Sequence, residues 1–152
     1  MKTLELKIHP PVLLSLSLGL VYGLNQYLPI LAIPSLFFKL HWYIGALGVL
    51  VILCGVWEFR KAKTTINPTK PEKTRYLVSG GIYQVTRNPM YLGMLLILVA
   101  AIFKVNNYVG FIAIPFFVCY ITQLQIKPEE RVIERIFGKE YVNYKNKVRR
   151  WL

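Results

Sequence analysis

The sequence predicts an all-α integral membrane protein: four transmembrane helices followed by a C-terminal amphipathic cytoplasmic helical segment. Three observations carry that prediction. Hydrophobic residues make up 55% of the 152 and charged residues only 17%, against roughly 25% charged in an average soluble domain. Nineteen Lys and Arg against seven acidic residues leave a net charge of +12, gathered into short stretches. Between those stretches lie four tracts without Asp, Glu, Lys or Arg, at 10–38, 40–57, 88–103 and 105–126. A composition this apolar excludes a disordered chain. It also argues against a nucleic-acid-binding domain, which spreads its basic charge over a soluble surface, so no nucleic-acid partner is expected.

A membrane-spanning helix needs about 20 mostly apolar residues. The second and fourth tracts fit directly, and the third is extended by Lys104, whose long side chain can snorkel. The first tract is too short for two spans, and Asn25, Gln26, Pro29 and Pro34 make its last third a poor helix. The spans are therefore expected near 11–28, 41–60, 89–105 and 107–127. An irregular interfacial segment follows the first, and a loop 61–88 and a tail 128–152 complete one membrane domain. Lys2 and Lys7 before an apolar run have the pattern of a signal sequence. No A-x-A-like site follows, however, and the run continues through Leu18, Leu20 and Val21, so a retained first helix is expected. Cys54 and Cys119 fall in separate spans without ligand spacing and read as packing residues; no metal is expected.

Orientation follows from the positive-inside rule. Seventeen basic residues lie before the first span, over 60–87 and over 127–150, and two, Lys39 and Lys104, lie in the other connections. Both termini and the loop are expected in the cytoplasm, where the same charge suits anionic lipid headgroups. Polar chemistry must then come from the loop, the tail and the inner helix ends.

The loop opens with Thr64-Thr65-Ile66-Asn67-Pro68 and Lys70-Pro71, extended because proline disfavours helix at the residue before it. Gly80-Gly81 allows a tight bend or a close backbone approach. Asn88-Pro89 predicts the start of the third span, since Asn is a strong N-cap and Pro suits the first helical position. A helix N-terminus attracts anions, and Arg87 and Tyr91 beside it point to a carboxylate or phosphate. Gly93, one turn in, leaves room for a neighbouring helix or a flat ligand. Pro128 is expected to end or sharply kink the fourth span. Glu129-Glu130, the only adjacent acidic pair, opens an amphipathic pattern of Val132, Ile133, Ile136, Phe137, Tyr141, Tyr144, Val148 and Trp151, broken at Gly138. As plain structure, the glutamates favour a helix start and the helix lies on the membrane. As function, they are partners for a cationic ligand.

Gly81-Ile82-Tyr83, Arg87-Asn88-Pro89-Met90-Tyr91-Leu92-Gly93, Pro128-Glu129-Glu130 and Phe137-Gly138-Lys139-Glu140-Tyr141-Val142-Asn143-Tyr144, in that order, resemble the isoprenylcysteine carboxyl methyltransferase family and the related phospholipid N-methyltransferases. The resemblance covers roughly 66–152; residues 1–61 match only in being hydrophobic. It implies a membrane enzyme that binds S-adenosylmethionine on the cytoplasmic side and methylates a lipid-like acceptor entering from the bilayer, here expected in a prokaryotic inner membrane. One departure matters: family members usually carry His where this chain has Asn88. Asn cannot titrate near neutral pH, so an acid–base role at that position is lost while a role in fixing the cofactor survives.

S-adenosylmethionine brings its own leaving group, so alignment is the main task of such a protein. Under the resemblance, Arg87 and the Asn88-Pro89 helix start hold the ligand carboxylate, with Gly93 nearby. Glu129 or Glu130 meets the amino group or a ribose hydroxyl. Tyr83, Tyr91 and Tyr141 offer aromatic faces to the sulfonium, a contact of ~0.5–2 kcal/mol. Glu130 and Glu129 are the candidate catalytic groups, with Arg135 anchoring an acidic acceptor. A carboxylate or thiol acceptor of isoprenylcysteine type leads. A phospholipid amine, which would require a glutamate as base, and a non-catalytic membrane protein are the alternatives.

Overall fold

Prolines open the first and third helices, where the missing N–H leaves no intrahelical bond unmade. In the computed structural model, which describes residues 6, 8–28, 32–34, 37–63 and 76–152, these are α1 (Pro10–Tyr27) and α3 (Pro89–Val105). The turns expected at 64–71 and much of the irregular segment after the first span lie outside the described residues. Between α1 and α3 stands α2 (Leu40–Lys61). After α3 a single continuous helix runs over Tyr108–Phe137. It comprises a 3₁₀ start (Tyr108–Ile112), α4 (Ala113–Ile121), a π-helical turn (Thr122–Ile126) and α5 (Lys127–Phe137). Gly138, at φ +51°, then separates α5 from α6 (Lys139–Lys147). Among the described residues the nearest thing to a sheet is one isolated antiparallel bridge, Ala32 with Asn107.

The turn after α3 is built from two asparagines. Asn106 adopts the left-handed conformation (φ 58°, ψ 40°), which Asn tolerates better than most residues and which stops a helix. The Asn107 carboxamide oxygen accepts from the Val109 N–H at 3.0 Å and starts the next helix. Its amide group donates to the Leu28 carbonyl at 2.7 Å and to Asn25 at 3.2 Å, tying down the end of α1.

The core lies where α1, α3 and α4 meet, around Leu13, Val21, Leu98, Ile102, Phe117 and Ile121. The α2 helix packs on α3 through glycines. A Cβ on Gly93 would lie 2.5 Å from the Gly48 carbonyl oxygen, and one on Gly48 would lie 2.8 Å from that of Gly93. Such backbone contact is how apolar helices approach closely without side-chain obstruction. The rest of α2 is largely open, with Trp42 and Tyr43 73% and Trp57 68% exposed. Fifteen residues of helix put about 22 Å between Trp42 and Trp57, and Trp is enriched at membrane–water interfaces.

Four spans were expected. Among the described residues two helices, Leu40–Lys61 and Tyr108–Phe137, are long and apolar enough to cross a membrane, and Pro89–Val105 is apolar but shorter. The apolar part of the last helix ends at Ile126; from Lys127 on it is charged, so Glu129 and Glu130 stand beyond the apolar part.

Pro128 does not end the helix, one of the two outcomes expected from the sequence; the helix runs on through it. Proline lacks an N–H and its ring clashes with the carbonyl four residues back, here Leu124. The π turn absorbs the clash: the Lys127 N–H reaches the Thr122 carbonyl, five residues back. The Leu124 carbonyl, which Pro128 cannot serve, accepts the Leu6 N–H at 3.0 Å, and the Gln125 side chain donates to the Ile8 carbonyl at 2.5 Å.

Candidate active site

The polar end of the molecule is assembled from four pieces: the turn before α3, the first turn of α5, one face of α6, and the extended segment after it. Tyr83 stands on a 3₁₀ turn (Gly81–Gln84) and is buried. Its ring meets Phe59 of α2 edge to face at 5.6 Å, and its carbonyl accepts from the Tyr144 hydroxyl at 2.6 Å. Gly81 sits at φ +55°, and a side chain there would run into the Glu58 carboxylate. Both demands select glycine. Burial pushes the Tyr83 hydroxyl well above its usual range, with Tyr144, Glu129 and Glu58 adding to the rise. Tyr141 and Tyr144 are raised for the same first cause, so all three phenols keep their protons at neutral pH.

Asn88 occupies the cap position of α3, but its side chain does not cap the helix, a correction to the expected role. Its amide donates instead to the Arg150 carbonyl at 2.9 Å, while its own N–H bonds to the Thr86 hydroxyl at 3.2 Å. That hydroxyl also donates to the Arg150 carbonyl at 3.2 Å, and the Arg87 N–H meets the Arg149 carbonyl at 3.0 Å. The loop end and the extended segment 149–150 thus lie side by side. Pro89 is buried and packs on Gly55 of α2, which anchors the helix start.

The two glutamates point to different partners, as the 100° between helix neighbours requires. Glu129 accepts from the Tyr91 hydroxyl at 2.5 Å. Burial, opposed by that hydrogen bond and reinforced by the Glu130 charge, lifts its carboxyl to about 8. Glu130 is held by two arginines. Arg150 grips it as a fork, Nε at 3.1 Å and Nη2 at 2.6 Å on separate oxygens, and Arg87 approaches at 3.2 Å. The Glu130 hydrogen bond holds the Arg150 guanidinium above its ordinary value. The Arg87 side chain is 8% exposed, and its Nη1 lies 3.4 Å from the Tyr141 hydroxyl. Its Nε is buried and has no hydrogen-bond partner among the described residues.

Of the residues expected to form a site, the fold brings together Arg87, Asn88, Tyr91, Glu129, Glu130 and Tyr141, with Tyr83 joined to them through Tyr144. It does not add two others. Gly93 was expected to admit a helix or a ligand, and α2 takes the space. Arg135 is exposed on α5, outside these contacts. Thr86, Tyr144, Arg150 and Glu58 belong to the cluster and were given no site role from sequence. Thr86 flanks a motif that was given one, and Tyr144 ends another without having been given a role itself, while Arg150 is one of seven basic residues over 128–152, and no local pattern marks it.

Residues 40–140 match the family described as phospholipid methyltransferase. An uncharacterized protein of Haemophilus influenzae is 46% identical over 63 residues, 41% of this chain and all of that protein. Protein-S-isoprenylcysteine O-methyltransferase B of Arabidopsis thaliana is 27% identical over 140 residues, 87% of this chain and 70% of the relative. Protein-S-isoprenylcysteine O-methyltransferase of Saccharomyces cerevisiae is 29% identical over 109 residues, 67% of this chain and 46% of the relative. No solved structure matches.

Proposed function

We propose, because this chain belongs to the phospholipid methyltransferase family, that it moves a methyl group from S-adenosylmethionine to a carboxylate or thiol on a lipid-like, isoprenylcysteine-type acceptor. One observation carries the reading. Arg87 and Tyr91, at the start of α3, meet Glu130 and Glu129, at the start of α5, across about 40 residues of chain and just beyond the apolar segments. The Arabidopsis and yeast relatives, named for isoprenylcysteine, support the acceptor class.

The residues present fit the methyl donor. Arg87, Glu130 and Arg150 sum to one excess positive charge beside a helix N-terminus whose cap residue makes no side-chain cap, and the buried Arg87 Nε has no acceptor among the described residues. A carboxylate such as the amino-acid end of S-adenosylmethionine would satisfy both. Tyr83 and Tyr141 offer buried aromatic surface for a sulfonium. When bound, the donor supplies a methyl group already activated on sulfur, so the chain's part is to orient and to exclude water. A carboxylate or thiolate acceptor then needs no base. The same reading makes the chain a single multi-pass domain of a prokaryotic inner membrane, with both termini and the 61–88 loop cytoplasmic.

A second reading, methylation of a phospholipid amine, is favoured by Glu129. Its carboxyl, lifted to about 8 by burial, titrates where it can take a proton from an ammonium acceptor. Radiolabelled methyl transfer into a lipid extract separates the two. Label released by mild base is an ester. Base-stable label on an amine, formed faster as pH rises through about 8, supports the second reading. Absence of any transferred label, with the protein folded, removes both.

A further inference from the structure

We propose that Arg150 is the positioning residue of this site, an inference that rests on the methyltransferase reading above. Arg150 lies outside the family match, which ends at residue 140, yet it grips both halves of the cluster from a third segment. Through its backbone carbonyl it accepts from Thr86 and Asn88, the two residues flanking Arg87. Through its guanidinium it holds both oxygens of Glu130. Beside the direct Arg87–Glu130 contact, one side chain and its own peptide group thus tie the half of the site before α3 to the half at the start of α5.

Its neighbours make the grip directional. Val148 is extended after α6, the Arg149 carbonyl accepts the Arg87 N–H, and Trp151 packs against the hydrophobic core. The segment is therefore anchored at Trp151, bonded along the loop, and fastened to α5 through Arg150. Without the guanidinium, Glu130 keeps only the single contact from Arg87, and the carboxylate is free to rotate onto that arginine. Arg87 then spends its charge on Glu130 instead of on a ligand. The fork geometry belongs to Arg, because a lysine ammonium is a point charge and cannot present two parallel donors.

Two variants and two readouts test this. In Arg150→Ala, hydrogen exchange at the Arg87 amide is expected to accelerate while the amides of α2 and α3 keep their protection. Affinity for S-adenosylhomocysteine in detergent, measured by calorimetry, is expected to fall about tenfold or more. Arg150→Lys restores the charge and is expected to restore the melting temperature without restoring the affinity, a split that a purely structural role would not produce. Unchanged Arg87 exchange in Arg150→Ala overturns the clasp. In either variant, affinity that simply tracks stability, or does not change, overturns the positioning role. If the unsubstituted protein binds no S-adenosylhomocysteine, the methyltransferase reading fails, and the positioning role fails with it; the exchange data still decide whether the clasp exists.

Discussion

The α2–α3 contact and the cluster at the start of α3 adjoin each other and are held by opposite means. Along α2 and α3 the contact is steric: Gly48 and Gly93 bring two backbones within van der Waals reach, and no charge takes part. One to two turns away, at Arg87, Glu129 and Glu130, contact area matters less than hydrogen-bond geometry. The first kind of contact fails abruptly when volume is added and ignores pH. The second tolerates small movements but responds to charge. Rigidity in the helix pair is what lets a hydrogen-bonded cluster at its end hold a fixed shape.

The largest effect should come from adding volume to the helix pair. Gly93→Leu forces side-chain atoms into the Gly48 carbonyl and Ile52, and backbone cannot yield as a side chain can. A loss of about 3 kcal/mol is expected, at the upper end for overpacking, seen as a fall in melting temperature in detergent that is the same at every pH. A pH-dependent loss would mean that the two regions are not separable.

Glu130→Gln comes next. It leaves Arg87 and Arg150 facing each other across a neutral amide. Breaking a buried pair from one side costs 3–5 kcal/mol, and partial exposure of Arg150 reduces this to about 2 kcal/mol. Cofactor affinity should fall at least about tenfold. An equal affinity would remove Glu130 from the site.

Glu129 sharpens the contrast through pH. Its carboxyl is raised, so the stability it contributes is fully present below its ordinary value near 4.5 and is lost as pH rises through about 8. The melting temperature of the unsubstituted protein should therefore decline between about pH 5 and pH 9 relative to Glu129→Gln, in which this titration is absent. Parallel profiles for the two proteins would show that Glu129 ionises normally. The smallest effect is expected at Arg135→Ala: stability within about 0.5 kcal/mol, cofactor affinity unchanged, and a several-fold rise in KM for an acidic acceptor. An unchanged KM assigns Arg135 to the solvated face alone.

The helices were legible because charge is excluded from them and because Asn25, Gln26, Pro29 and Pro34 cut the first tract short: the expected 11–28, 41–60 and 89–105 lie close to the observed Pro10–Tyr27, Leu40–Lys61 and Pro89–Val105. The continuation past Pro128 was not legible. Proline is a helix stop by local rules, and the group that answers the stranded Leu124 carbonyl is the Leu6 N–H at the far end of the sequence. The site was half legible. Helical spacing says that Glu129 and Glu130 diverge, but which one meets Tyr91 and which one meets two arginines depends on how α5 is rotated. Asn88 was read correctly as a helix start and incorrectly as its cap, because its amide has a better partner in Arg150, a residue that sequence periodicity cannot bring near it.

That rotation has a source. The π turn at Thr122–Ile126 inserts one residue into an otherwise regular helix, and one residue is worth about 100° of azimuth. Everything from Lys127 onward is indexed by that offset, like a shaft clocked by one spline. With a single residue fewer in the turn, the apolar part of the helix would keep its place while Glu129 swung away from Tyr91 and Glu130 away from its arginines. The geometry of the polar end is therefore written as a length, in a segment that carries none of the charged groups it aims.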